Sequence, residues 1–386
     1  MKEQNRPMWS ISPIIVSVFA IYLCIGIMLG TLPTLIKNEL HFSALIVGAV
    51  ISIQFIATLL TRAYAGKIAD TQGAKTAKHY GVIMSVISGV IYILSYYFKD
   101  LHLIALLLLF VARIAHGISE SLAVTGALTW GIGLVGQQKS GKVMTWNGIA
   151  MYAGIALGAP LAIYLTSTLG TIYVFSLMIV LSAISWLCTI RLPNLAVDPS
   201  YQRTPFYKVI SKISDQGLAL AFSSIGFACI SSFIALLFTE KSWLNPSWAF
   251  LTFGSFYVLT RIFCASLPDK FGGYRVAIVS FIIEIIGQLL IAFATSEFMA
   301  ILGCSLTGIG FSLVFPALGV LAIQKVSPQM RGTALGAYAA FFDISLGIAG
   351  PIAGIIAGLY GYQSIYFFGA ISALISMLIL IIKAKQ

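Results

Sequence analysis

The stretch Arg113-Ile114-Ala115-His116-Gly117-Ile118-Ser119-Glu120 lies inside an apolar run that begins near Leu101 and ends near Gly133. Positions i, i+3, i+4 and i+7 of a helix share one face. Arg113, His116, Gly117 and Glu120 are therefore predicted to point the same way. On insertion scales an Arg at the centre of a membrane helix costs about 2.5 to 3.5 kcal/mol. A span that carries both Arg and Glu on one face must turn them toward a polar cavity or toward each other. The rest of the chain reads as a helical bundle around such a cavity.

The composition agrees. The 386 residues are 59% hydrophobic and only 9% charged, where a soluble domain carries about 25% charged residues. Mean hydropathy is +0.98. This is the profile of an integral membrane protein. A net charge of +11 raises nucleic acid as a partner, but the cations sit in short loops between apolar runs, which argues against it. Cys24, Cys188, Cys229, Cys264 and Cys304 all fall inside apolar runs without CxxC spacing. Neither a disulfide framework nor a metal site is expected, and the thiols read as small buried hydrophobes. Lys2 and Arg6 precede a first apolar run too long for a signal-peptide core, so that run is read as a retained span.

A spanning helix needs about 20 mainly apolar residues. Twelve such runs are predicted, near 10–36, 43–66, 76–98, 102–131, 140–166, 169–191, 214–238, 245–267, 274–295, 298–325, 331–358 and 362–383. The predicted class is all-α, with twelve transmembrane helices in two pseudo-symmetric six-helix bundles. The bundles are placed at 1–192 and 214–386, joined by a cytoplasmic linker at 193–213 that holds Pro193, Pro199 and Pro205. Lys37, Lys99 and Lys241 are the only cations in one set of loops, and the other set holds all the rest except Arg113. The positive-inside rule then puts both termini in the cytoplasm. Expected partners are a small-molecule substrate, protons and the lipid bilayer, with the protein a monomer.

The halves repeat. Arg62, Asp70 and Gly73 recur in spacing as Arg261, Asp269 and Gly272. Gly117 and Gly126 align with Gly310 and Gly319 at constant offset. Gly141 and Pro160 have the same separation as Gly332 and Pro351, and span 5 also carries Gly154 and Gly158 as span 11 carries Gly347 and Gly350. The span-5 and span-11 sets are read as helix-packing residues that bend their spans at the interface between halves. Parallel halves place a substrate site near the midplane. Asp70, at a helix end after span 2, can accept from an Arg or from another helix's N-terminus, and breaking such contacts would open a cytoplasmic gate. Gly66 permits close helix approach, and Gly73 permits a tight turn.

These residues resemble the major facilitator superfamily. Gly66-Lys67-Ile68-Ala69-Asp70-Thr71-Gln72-Gly73-Ala74-Lys75 matches its GxxxDxxGxK loop after span 2, and Arg113-xxx-Gly117 is similar to the span-4 Arg signature of its proton-driven exporters. Gly158-Ala159-Pro160 stands where their antiporter signature has Gly-Pro. Thr125 to Gly131 and Thr145 to Gly148 resemble a bacterial branch labelled sugar or drug efflux, which also contains exporters of opine-type metallophores such as staphylopine. The resemblance implies a secondary transporter without cofactor, in a bacterial inner membrane. It also implies a gating role for Arg62, Gly66, Asp70, Gly73, Lys75, Arg261, Asp269 and Gly272.

Besides Arg113, the ionisable residues placed near mid-membrane are Glu120, Glu284 and Asp343, with His116 beside them. Each is a candidate for proton coupling or substrate binding. Glu120 with Arg113 forms a pair able to alternate between protonated acid and ion pair. Glu284 has a structural alternative as a protonated acid or a partner of Gln288. For His116 the alternatives are a proton shuttle and a neutral, hydrogen-bonded ring. Candidate cavity-lining residues are Tyr22, Gln54, Trp130, Trp146, Asn147, Tyr152, Tyr257 and Tyr338, though Trp and Tyr also anchor spans at interfaces. No phosphate-binding loop, catalytic triad or metal-hydrolase motif is found. An exporter of a small polar or zwitterionic molecule, a nutrient importer, and a non-transporting receptor or intramembrane enzyme are the competing functions.

Overall fold

A computed structural model describes residues 7–195, 207–326 and 331–384. Most of the predicted linker, residues 196–206, lies outside the described residues, as does the side chain of Asp269. The chain is helical almost throughout. The first unit's helices are α1 (Ser12–Thr34), α2 (Ala44–Thr71), α3 (Ala74–Tyr97), α4 (His102–Val135), α5 (Ser140–Thr168) and α6 (Thr171–Ile190). Then follow α7 (Tyr207–Glu240), α8 (Pro246–Cys264), the short α9 (Leu267–Phe271), α10 (Gly273–Ala292), α11 (Glu297–Gln324), α12 (Arg331–Tyr360) and α13 (Ser364–Ala384). Among the described residues twelve helices, all but α9, are long and apolar enough to cross a membrane. At 1.5 Å per residue, the 34 residues of α4 span about 51 Å, well beyond a hydrocarbon core of about 30 Å.

The chain forms two compact units, one holding residues up to His41 with those from Ile53 through α6, the other Phe42–Ser52 with α7 onward. Each unit has a central helix. The apolar window of the span containing α1 is 83% buried and that of α7 is 89% buried, against 33–67% for the others. Apolar residues all round a helix leave it no face that tolerates exposure, so it takes the bundle centre. Around α1 and α7 the same pairings recur. α3 packs on α4 and α6, and α10 on α11 and α13, while α1 and α7 meet α6 and α13 respectively.

The repeated turns match in detail. Gly73 and Gly272 adopt φ of 102° and 84°, a region open to glycine but strained for other residues. Each opens the next helix, accepting from Ala77 N–H and Val276 N–H. The turns differ just upstream. α2 runs through Asp70 to Thr71, whereas α8 stops at Cys264 and Asp269 falls in the separate α9.

Packing corrects the glycine alignment read from sequence. Gly117 abuts the Gln54 carbonyl of α2, and Gly308 rather than Gly310 takes that place on α11, abutting the Phe253 carbonyl of α8. Gly126 abuts Ala74 and Lys78 of α3, and its counterpart facing Gly273 of α10 is Ala317 rather than Gly319. Gly310 instead meets the Glu284 and Ser280 backbone, and the nearest neighbour of Gly319 is the Tyr338 ring.

A second correction concerns span 5. Gly154 and Gly158 lock onto Leu23, Gly26 and Ile27 of α1, while Gly26 and Gly30 lock onto Ile155 and Ala159. This doubled small-residue seam joins two helices inside the first unit and is no interface between halves. Gly350 and Gly354 do meet the first sequence half as expected, packing on Gly48, Ala44 and Leu45 at the start of α2, where Ser52 Oγ donates to the Leu346 carbonyl at 2.8 Å. Gly347 is buried, and Pro160 and Pro351 are half-buried inside unbroken helices.

A third correction concerns charge placement. Lys78, counted among loop cations, sits inside α3 at 1% exposure, and Arg261 lies in the last turn of α8 at 6%.

Candidate functional site

The α4 face predicted from spacing is buried throughout, with Arg113, His116 and Glu120 at 0%, 0% and 6% exposure. Gly117 is the point of closest approach. Its missing side chain lets α2 lie against α4, bringing Gln54 and Thr58, one helical turn apart, beside Glu120. Tyr22 of α1 completes the shell. Tyr22 Oη donates to Glu120 Oε1 at 2.9 Å, and Gln54 Nε2 donates to Oε2 at 2.9 Å. Thr58 Oγ1 lies 3.3 Å from Oε2, and also 3.0 Å and 3.1 Å from the Gln54 and Gly117 carbonyls. Two helices, α1 and α2, thus supply donors to one buried carboxyl group of α4, and all three donors are neutral. Among the described residues Glu120 takes no hydrogen bond from Arg113, the partner its spacing suggested. Gln54 Oε1 is buried without a partner. Thr58 was not singled out in the sequence, although it sits one turn from Gln54 on the same face.

Arg113 belongs to a neighbouring cluster. Its guanidinium approaches Tyr92 of α3, whose ring lies 6.3 Å from that of His116 and stacks on Phe175 at 5.2 Å. Both His116 ring nitrogens are buried without a hydrogen-bond partner among the described residues. A proton relay needs hydrogen-bonded neighbours, and His116 has none toward Glu120.

The loop signature has a structural task at its end. Lys75 Nζ donates to the Ile190 and Leu192 carbonyls, each at 2.8 Å, and Lys78 Nζ to the Ser185 carbonyl at 2.6 Å and Thr189 Oγ1 at 2.7 Å. The last carbonyls of a helix have no partner within it and carry partial negative charge. Lys75 here caps the end of α6, and Lys78 binds about one turn further into the helix. Trp130 Nε1 donates to the Pro193 carbonyl at 3.0 Å, so this tryptophan clasps the chain leaving α6. Arg62 and Asp70 are half-buried and engaged with other groups, and Gly66 and Gly73 are buried.

In the second unit Glu284 is fully buried on α10. Its Oε2 accepts from Ser223 Oγ at 2.6 Å, and Oε1 is buried without a partner. Gln288, one turn on, donates through Nε2 to Thr307 Oγ1 at 3.2 Å and to the Gly226 carbonyl at 3.4 Å, and its Oε1 is also orphaned. Asp343 of α12 is buried at 1% exposure and engaged. Phe227, Phe253, Phe311 and Phe342 form a stack, with rings 5.4–6.5 Å apart and interplanar angles of 10–20°. Tyr257 adjoins it and accepts from Arg261. Tyr338 Oη donates to the Phe315 carbonyl at 3.1 Å.

The remaining aromatic and polar candidates divide. Asn147 is buried with Nδ2 3.1 Å from Met151 Sδ, and Tyr152 is buried, while Trp146 is 51% exposed. Among the described residues no three His, Cys, Asp or Glu side chains gather as metal ligands.

Comparisons with known proteins place this geometry. The profile of the Major Facilitator Superfamily matches residues 14–244 and 217–386. An uncharacterized MFS-type transporter of Salmonella typhimurium is 38% identical over 370 residues, covering 96% of this chain and 95% of that one. Another, from Burkholderia pseudomallei, is 39% identical over 355 residues, covering 92% of this chain and 87% of that one. Among solved structures, a human organic anion transporter superposes with a TM-score of 0.75 at 15% identity, covering 97% of this chain and all of that one. The nucleoside transporter NupG gives 0.73 at 16%, covering 97% and 99%. At such identities the likeness is one of fold.

Proposed function

The chain belongs to the Major Facilitator Superfamily, and from that premise we propose that it is a proton-coupled exporter of a small polar or zwitterionic molecule, with Glu120 as the coupling acid. An opine-type metallophore, a sugar or a drug fits that description. Bacterial relatives and the cation-rich loops support a bacterial inner membrane with both termini cytoplasmic.

The observation that carries the reading is the Glu120 shell. An ionisable group inside a span is costly and marks ion pathways. As a carboxylate, Glu120 is satisfied by Tyr22, Gln54 and Thr58. As a neutral acid it must donate, and the Gln54 amide offers the acceptor. Rotating that amide half a turn exchanges Nε2 for the unpartnered Oε1. One side chain therefore serves both protonation states without moving its helix. In the proposed cycle, substrate from the cytoplasm competes for Tyr22 and Gln54, and the proton leaves inward. Outward exposure releases the substrate and returns a proton to Glu120. Asp343 is the second proton or substrate-cation candidate. Asp70, with its loop, is the proposed cytoplasmic gate.

The test uses proteoliposomes with a trapped pH-sensitive dye. Each of a panel of sugars, amino-acid conjugates and drugs is added, and solute-dependent proton movement identifies the substrate class. Glu120→Gln fixes the neutral form and is expected to keep solute exchange while losing gradient-driven accumulation. Accumulation at the wild-type level would remove Glu120 as the coupling acid, and the same assay on Asp343→Asn would follow.

A further inference from the structure

The contact that places Glu120 recurs in the second unit with different side chains around it. Gly117 meets the Gln54 carbonyl, and Gly308 meets the Phe253 carbonyl. Three residues on from each glycine, Glu120 answers to Phe311. One turn on from each carbonyl, Thr58 answers to Tyr257. On the central helices, Tyr22 of α1 donates to Glu120, and Phe227 of α7 packs on Phe311 with ring centroids 5.9 Å apart. The polar shell of the first unit is thus an aromatic shell in the second.

Phe342 of α12 extends that shell. Its ring lies 6.5 Å from Phe227 and 6.3 Å from Phe311, at interplanar angles of 16° and 20°. Carbon atoms in contact sit about 3.5–4.0 Å apart. Near-parallel rings in contact with centres this far apart are displaced sideways, so neither neighbour covers the face of Phe342. Phe227, Phe253 and Phe311 are 1–3% exposed, whereas Phe342 is half-buried. Its open part does not belong to the side of α12 that a span turns to lipid. At 3.6 residues per turn, Phe342 stands about 120–160° round the helix from Ile344, Ile348 and Ile355, all three exposed. The ring therefore offers a flat face on the inner side of its helix, backed by rings from α7 and α11. An aromatic guest stacked with an offset gains beyond the area it buries, and a saturated ring of the same size gains the area alone.

We propose that the Phe342 face, backed by Phe227 and Phe311, binds a planar aromatic ring carried by the transported solute. This rests on the exporter reading and narrows its substrate class to polar or zwitterionic molecules with an aromatic or heteroaromatic ring.

The test melts purified protein in neutral detergent with matched pairs that differ only in phenyl against cyclohexyl. The pairs are phenylalanine with cyclohexylalanine, benzyl glucoside with cyclohexylmethyl glucoside, and benzylamine with cyclohexylmethylamine. In at least one pair the aromatic member should raise the wild-type Tm at a concentration about two- to tenfold below that of its twin, the weight of one aromatic pair. Phe342→Leu keeps apolar bulk without a ring and should make the twins equal. Phe342→Tyr should retain the preference. Should Phe342→Leu fail to fold, Phe342→Met replaces it, and the wild-type comparison needs neither. Twins of equal effect in every wild-type pair would overturn the proposal. So would a preference that survives undiminished in Phe342→Leu or Phe342→Met. Aromatic preference in binding without solute-driven proton movement in proteoliposomes overturns the exporter reading alone. Proton movement driven equally by both members of every pair overturns this proposal alone.

Discussion

The Gln54 side chain donates to the Glu120 carboxylate at 2.9 Å while its own oxygen, equally buried, has no partner. A buried acceptor left unsatisfied costs about 1–3 kcal/mol. The amide is thus satisfied on one side only, whichever protonation state Glu120 adopts. Coupling between the two residues is the direct consequence. Gln54→Leu should lower stability by roughly 1–3 kcal/mol, since it strips a donor from a buried carboxyl group. In Glu120→Leu the same change should cost far less. A double-mutant cycle on denaturation midpoints should give an interaction of about 0.5–3 kcal/mol. Additive losses would show that the two side chains do not depend on each other.

Close approach at Gly117 is what brings that pair together. A methyl group there would collide with the Gln54 carbonyl and the Ala57 side chain, whereas one at Gly148 meets nothing within 4 Å. Gly117→Ala is expected to destabilise by about 1–3 kcal/mol through overpacking. It should also reduce transport, because α2 must shift away from Glu120. Gly148→Ala should hold or gain up to about 1 kcal/mol from helix propensity. Paired melting curves and transport rates of the two variants check this.

Glu284 should behave unlike Glu120. Glu284→Gln can keep the Ser223 hydroxyl bond and removes an ionisable group from a fully buried place. Unchanged or higher thermal stability is expected, with gradient-driven accumulation retained. Glu284→Ala, which opens a buried void, should cost about 2–5 kcal/mol, as other large-to-small core changes do. Loss of accumulation in well-folded Glu284→Gln would move the coupling role into the second unit.

Lys75 and Trp130 hold the chain where it leaves α6, through carbonyls of residues 190, 192 and 193. Lys75 is half-buried, so Lys75→Ala should cost no more than about 1 kcal/mol of global stability. Local opening should change more. Hydrogen exchange of the amides at 191–195 should quicken in Lys75→Ala and in Trp130→Phe, with the α1 amides unchanged. Equal protection in wild type and both variants would reduce the clasp to a passive contact.

Twelve spans were legible because long apolar runs and turn glycines are local features, while limits in polar sequence were not, since α7 begins at Tyr207 rather than 214 and α2 runs on to Thr71 rather than 66. Gly73 and Gly272 could be read as turn residues from their spacing alone, and both adopt the positive φ such turns need. The shared face of Arg113, His116, Gly117 and Glu120 followed from helical periodicity, and all four are buried. Periodicity states where a side chain points about its own axis. It is silent about which neighbouring backbone lies there. Only the tertiary structure decided that Glu120 would meet Tyr22, Gln54 and Thr58 rather than Arg113. The glycine register of the repeat was misread for the same reason. Gly117 and Gly308 share a contact, and they stand 191 residues apart as Pro160 and Pro351 do, so the pairing with Gly310 was two residues out of register. Lys78 shows the limit again. Its charge counted it among the loop cations, but the carbonyl end of α6 provides acceptors that allow an ammonium group to be buried. Sequence determined which segments enter the membrane, because apolar transfer is summed along the chain. Partnership among the few polar groups inside depended on helices far apart in sequence closing to hydrogen-bond distance, and no local pattern carries that.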